Sequence, residues 1–224
     1  MNNKNIKEVI MKRILTSIII LLICFSILRA QESEVIKLPA PQTEIGKPLM
    51  QTLKLRSSTR SFDTKEIPLQ DLSNLLWAAY GINRPESGKR TVPSAMNWQE
   101  YDIYVVLQNG AYIYNAKENE LKLVTRGDIR EYCGVQDFVK TAPLNLVYVA
   151  DFSKVSRANE EDKLLFVAAD CGFIAQNVYL YCASEGFACV VRGMVNKEKL
   201  PEALKLNSNQ KIILAQTVGY PKKQ

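Results

Sequence analysis

PSAMNWQEYDIYVVLQNGAYIYNAKENEL, residues 93–121, decides the fold class. Tyr101 to Leu107 is rich in aromatic and β-branched residues and reads as a strand. Asn109-Gly110 supplies the left-handed positions that a tight hairpin turn needs, and Ala111 to Ala116 returns as a second strand. Leu121 to Val124 extends the meander. Strands joined this tightly run antiparallel, because a parallel pair needs a long crossover. Toward the N-terminus, DLSNLLWAAYG after Pro68 places Leu72, Leu75, Leu76 and Ala79 at helical spacing and stops at Gly81. Residues 83–92 read as a loop from their Pro, Gly and charge content.

Toward the C-terminus, Arg130 to Val139 reads as a helix and Leu144 to Ala150 as a buried strand. The longest helical pattern runs from Glu160 to Ser184 and meets Gly186 in a C-capping position. It is apolar nearly all round, which marks a helix covered on several sides. Its Ala168, Ala169, Gly172 and Ala175 leave room for another helix to come close. Ala188 to Val191 is a short strand, Lys197 to Leu206 a short helix interrupted at Pro201, and Ile212 to Val218 the last strand. The expected class is α+β: a mainly antiparallel sheet packed with helices, one of them long and central.

The 224 residues suit one domain of ordinary size, and no internal repeat is visible. Lys12 and Arg13 precede the apolar run Ile14 to Leu28, followed by Arg29, Ala30 and Gln31. A basic start, a short apolar stretch and a small exit residue read as a secretory signal peptide over residues 1–30, cleaved after Ala30. The run is short for a bilayer span, which needs roughly 20 apolar residues. An uncleaved anchor with the domain facing outward is the alternative, and Met1 and Met11 are alternative starts. Residues 31–50 then form an extended arm and 51–224 the domain. An exported chain of this kind works in a bacterial periplasm, with no stable membrane insertion once the leader is gone.

Residues 1–30 hold five of the 29 basic side chains and one of the 23 acidic ones, so 24 basic and 22 acidic remain. A net charge of +2 removes the main support for nucleic-acid binding. The sequence has no histidine, so neither a histidine-dependent catalytic triad nor a histidine-ligated metal site can be assembled from it. A cofactor carrying its own redox chemistry fits such a chain. Beyond Cys24 in the leader, Cys133, Cys171, Cys182 and Cys189 match no zinc or Cys-x-x-Cys spacing; an oxidising compartment permits a disulfide but the sequence selects no pair.

Four local signals carry chemistry. Leu55 to Asp63, LRSSTRSFD, interleaves two arginines with Ser57, Ser58 and Thr59, offering guanidinium forks and hydroxyl donors to a phosphate; taken alone it is equally a basic turn before a helix. Asn97 carries both a donor and an acceptor, in what is otherwise an ordinary polar turn. Ser184 to Cys189, then Arg192-Gly193, form a small-residue exit from the long helix, where Gly186 either admits a flat ligand or merely caps. The chain ends near Val218-Gly219-Tyr220-Pro221 with Lys222 and Lys223.

In this order the four signals resemble the nitroreductase family over roughly residues 50–222, and residues 93–121 are similar to the branch containing SagB-type dehydrogenases. The resemblance implies an FMN-dependent oxidoreductase working as a homodimer, with the long helix at the dimer core. It implies that Arg56 and Ser58 hold the FMN phosphate, that Ser57 and Arg60 reach the ribityl chain and the N1–O2 side of the ring, and that Asn97 contacts the pyrimidine edge. The backbone of Gly186, Phe187, Ala188 and Cys189 covers the ring toward N5, and Lys222 supplies a late basic residue. No side chain is implied as catalytic and no metal is expected.

Hydride from a reduced donor, NAD(P)H among the candidates, then reaches an electron-poor acceptor such as a nitroaromatic or quinone. Export separates the chain from cytoplasmic nicotinamide, which leaves the donor open. Trp98, where a small residue is usual, narrows the pocket in this reading. Two other readings stand beside it: an azoline dehydrogenase acting on a modified peptide, and a non-catalytic flavin-binding scaffold.

Overall fold

The computed structural model describes residues 35–222 together with Met11, Arg13 and Thr16. The leader read over residues 1–30, with Cys24 inside it, otherwise falls outside the described residues. The chain divides into two units, Met1–Glu34 and Val35–Gln224, and the second contains the sheet.

Seven strands make that sheet in the order β1-β6-β5-β4-β7-β9-β8: β1 (Val35–Lys37), β4 (Tyr101–Leu107), β5 (Gly110–Asn115), β6 (Glu120–Arg126), β7 (Leu144–Asp151), β8 (Ala188–Arg192) and β9 (Gln210–Gly219). Every pairing is antiparallel; the turn between β4 and β5 is Gln108-Asn109, one residue earlier than the sequence suggests, with Gly110 already paired to Leu107 and no positive φ at Asn109 or Gly110. The remaining elements are β2 (Ile82–Arg84), β3 (Lys89–Arg90), and helices α1 (Leu49–Leu55), α2 (Leu69–Tyr80), α3 (Glu160–Glu185) and α4 (Lys199–Ala203).

The period-two pattern sorts side chains to the two sheet faces. Tyr101, Ile103 and Val105 of β4, with Leu144, Leu146, Tyr148 and Ala150 of β7, pack against Leu72, Leu75, Leu76 and Ala79 of α2 and Val167, Cys171, Ile174 and Val178 of α3. Tyr104, Val106, Val147, Val149 and Ala215 face the other way, onto Ile129, Cys133, Val139, Leu200 and Leu204. Three layers result: long helices, sheet, and a thinner layer of turns with α4. A buried leucine such as Leu76, fully enclosed here, is of the kind whose truncation to alanine costs about 2–5 kcal/mol.

Helix α3 starts where the Asn159 side chain accepts the Asp162 N–H at 2.8 Å, with three acidic residues in its first turn facing the positive end of the helix dipole. It stops at Gly186, whose φ of +81° is the left-handed conformation a terminal glycine supplies. Among the described residues α3 is the one helix long and apolar enough to cross a membrane; its inner face is spent on the sheet.

Three sequence expectations change. Arg130 to Val139 is not one helix but two 3-10 turns, Arg130–Cys133 and Asp137–Lys140, broken at Gly134. A side chain there would strike the Arg192 guanidinium and Val139, so the backbone passes too close for anything but glycine. Residues 83–92 contain the β2–β3 hairpin, tied by the Arg84 guanidinium donating to the Arg90 carbonyl. The stretch read as an extended arm contributes β1 to the sheet edge, in register with Glu120 to Lys122, and ends where α1 begins. All four described cysteines are buried free thiols.

Candidate functional site

The first, third and fourth signals converge at the C-terminal end of α3. Arg56 caps α1, its N–H donating to the Thr52 carbonyl, and the chain then runs without regular structure through Ser57, Ser58 and Thr59. The Thr59 N–H donates to the Cys189 carbonyl at 2.9 Å, fastening this loop to β8. Phe62 bridges to Pro221, the Asp63 N–H donates to the Tyr220 carbonyl at 2.8 Å, and the Lys222 N–H donates to the Ser61 carbonyl at 3.3 Å. Segments far apart in sequence, Thr59 with Cys189 and Ser61 to Asp63 with Tyr220 to Lys222, thus become one strip, with Arg56, Ser57, Ser58, Arg60 and Lys222 at its surface.

Among the described residues no carboxylate pairs with Arg56 or Arg60. Two guanidinium groups on one short loop repel each other, and an anion placed between them relieves that repulsion. The Ser58 hydroxyl lies 2.8 Å from the Tyr179 hydroxyl, and the Arg56 guanidinium sits 5.4 Å from the centre of the Tyr179 ring. Tyr179 was not legible as a site residue, since an aromatic at an apolar helix position looks like core.

Downstream of the helix, Ala188 and Cys189 are buried on β8 opposite Gly219 and Val218. Phe187 packs between Tyr181 and Tyr220, with ring centroids at 6.3 and 4.9 Å. Open space surrounds the Cβ position of Gly186, so its left-handed cap geometry accounts for the glycine. Arg192 leaves the strip: its guanidinium donates to the Cys133 carbonyl, Asn145 Oδ1 and Thr217 Oγ1 under the opposite sheet face, where burial lowers its pKa to about 10.

Asn97 belongs to a second place on α3. The Ala95 N–H donates to Asp170 at 2.8 Å, and Asp170 lies nine residues before Tyr179, roughly 14 Å along the helix at 1.5 Å per residue. Met96, Asn97 and Gln99 have φ of 51°, 57° and 47°, a left-handed cluster that side chains normally avoid. Its shape is held by Ser94, which accepts from the Asn97 N–H through its carbonyl and from the Gln99 N–H through its hydroxyl. Arg90 braces it from outside, donating to Gln99 Oε1 and the Tyr80 carbonyl with its guanidinium 4.0 Å from the Tyr80 ring centre. Asn97 itself is exposed and accepts from Gln99 Nε2. Trp98 is half-buried, edge-on to Phe166 at 6.2 Å.

Beneath this loop Glu100 is fully buried, and neither carboxyl oxygen has a donor. Burial, with the neighbouring Asp170 charge adding to it, pushes Glu100 up to about 7; burial also raises Asp170. A carboxyl buried beside another is harder to ionise, which favours its protonated form. Glu100 carried no sequence signal beyond its place before a strand.

The Nitroreductase family model matches residues 53–220. A crystal structure of a nitroreductase-described protein from Ralstonia eutropha JMP134 shares 44% identity and a TM-score of 0.81, covering 87% of this chain and 92% of that one. A protein of Methanocaldococcus jannaschii named as a nitroreductase is 28% identical over 73% of this chain and 90% of its own length. One chain of the Escherichia coli microcin synthetase complex, at 16% identity and a TM-score of 0.65 over 87% of this chain and 80% of that one, shares the fold.

Proposed function

Because the chain belongs to the nitroreductase family and is an oxidoreductase of its flavin-dependent kind, we propose that it binds FMN along α3 and passes an electron pair from a reduced donor to a nitroaromatic or quinone-like acceptor. One observation carries the reading: residues 56–60, 189 and 220–222 meet at one end of α3 with two arginines that no carboxylate among the described residues pairs, while the Asn97 loop is anchored farther along the same helix. A ligand with an anionic end and a flat polar edge matches that pair of stations.

In this reading Arg56 and Ser58 hold the phosphate, Ser57 and Arg60 reach the ribityl chain and the N1–O2 side of the ring, and Lys222 adds a cation beside the phosphate. Asn97 turns its amide hydrogens to the pyrimidine edge, and the backbone from Gly186 to Cys189 closes the far side. Bound FMN supplies the two-electron carrier that no side chain here replaces.

A second copy of the chain completes the site. Leu164, Leu165 and Phe173 of α3 and Leu49, Met50, Leu53 and Leu55 of α1 are exposed, and open space lies around the Cβ position of Gly172. An apolar surface of this kind favours burial against a partner. With its leader removed the enzyme works outside the cytoplasm, drawing on a reduced donor of which NAD(P)H is one candidate.

Size-exclusion chromatography with light scattering and visible absorbance tests the whole reading. Flavin absorbance eluting at twice the chain mass, bleached by an anaerobic reductant and restored by a quinone, is the expected result. Flavin that stays oxidised whatever donor is offered would favour the scaffold reading. Protein that retains no flavin after FMN is supplied overturns the cofactor assignment.

A further inference from the structure

We infer that Tyr179 is a positioning residue that turns the Ser58 hydroxyl into a donor and so makes the chain select phosphorylated over unphosphorylated flavin. The inference rests on the phosphate reading of the loop at Arg56 to Arg60 and assigns it a selector. Tyr179 is buried at 7% exposure near the end of α3, and its hydroxyl has two partners. The Val191 N–H points at it from 2.9 Å. A backbone N–H can only donate, so at this contact the tyrosine oxygen accepts.

The second partner is Ser58 Oγ at 2.8 Å. With its acceptor side taken by Val191, the phenol uses its single hydrogen toward Ser58. Ser58 therefore accepts from Tyr179, and its own hydrogen is left to point outward from an exposed loop. A phosphate dianion is acceptor-only, so an outward-facing donor suits it and an outward-facing lone pair repels it.

The same ring carries the Arg56 guanidinium at 5.4 Å, a cation–π distance. One side chain thus orients both a cation and a hydroxyl of the cradle. It also ties the loop to β8, which already accepts the Thr59 N–H through Cys189. The Tyr179 and Ser58 hydroxyls and the Arg56 guanidinium stand at the phosphate station of the reading above, so the effect of the hydroxyl pair falls on the phosphate.

The test titrates the full chain, freed of bound flavin, with FMN and separately with riboflavin, following fluorescence quenching. Wild type is expected to bind FMN more tightly than riboflavin. Tyr179→Phe keeps the ring under Arg56 but loses the hydroxyl, and its FMN affinity falls about tenfold, the scale of one hydrogen bond to a charged group, with riboflavin binding unchanged. Ser58→Ala, on the exposed loop where folding is not at stake, gives the same selective loss, and the double variant is no worse than either single one.

Tyr179→Phe weakening both flavins equally would mean a structural role and overturns the inference, as does a wild-type FMN preference that survives both substitutions. A wild-type chain that binds FMN and riboflavin alike overturns the phosphate reading itself, and the selector with it.

Discussion

Helix α3 supports two loops that are built in opposite ways. The loop at Arg56 to Arg60 has unstrained backbone, exposed cations and hydroxyls, and is tied down by bonds to β8, Tyr179 and the chain end. The loop at Ser94 to Gln99 has three left-handed residues and sits over two buried carboxyls, Glu100 and Asp170. The first can bind an anion because its composition is cationic. The second presents Asn97 at a set angle because surrounding contacts hold a backbone that would otherwise relax. Charge is a property of residue type, whereas held strain is a property of the folded chain.

The largest expected effect separates the loops by ligand. Arg56→Ala combined with Lys222→Ala should lower FMN affinity about a hundredfold or more, two charge-assisted bonds' worth, while riboflavin affinity moves little. Asn97→Ala should do the reverse in kind, weakening FMN and riboflavin by the same modest factor. Equal losses for both flavins in the double variant would erase the distinction between the stations.

The next effect concerns the buried acids. Glu100 titrates near 7 in the fold against an ordinary value of 4.5, so between those values the folded chain holds a proton that the unfolded chain has released. Stability therefore falls as pH rises through that window, by on the order of 3 kcal/mol for a shift of this size. Urea unfolding at pH 5 and pH 8 should show the fall in wild type, and Glu100→Gln should flatten it. A wild-type curve unchanged between the two pH values would show that Glu100 is not held protonated.

Smallest is the relief of strain. Met96 is exposed at 62% with φ of 51°, so Met96→Gly removes a steric cost of about 1 kcal/mol and pays part of it back as unfolded-state entropy. A net gain of roughly 0.5 kcal/mol in a denaturant titration is expected. The matching change in the other loop, Ser57→Gly, has no strain to relieve and should destabilise slightly.

Legibility follows the same division. Strand β4 and the core of α2 follow from local pattern, because periodicity of two or 3.6 is written in consecutive residues. Helix α3 was readable from its acidic first turn to its glycine cap. The Arg130 to Val139 segment was misread because Gly134 is demanded by the distant Arg192 side chain, which no local window contains. Helix α1 was missed because its seven residues are too few to show a period, and its leucines are exposed rather than set in the core.

By itself, the sequence determined an antiparallel α+β domain, a long apolar helix and a cationic Arg-Ser-Ser-Thr-Arg loop, all consequences of neighbouring side chains acting together. Only the tertiary structure decided that Tyr179 meets Ser58 from 121 positions away, that Phe62 lies beside Pro221, and that Glu100 is buried against Asp170. Those contacts depend on how the chain returns to α3 after each excursion through the sheet, and their energies arise from burial and from hydrogen-bond direction, which exist only once the layers have closed.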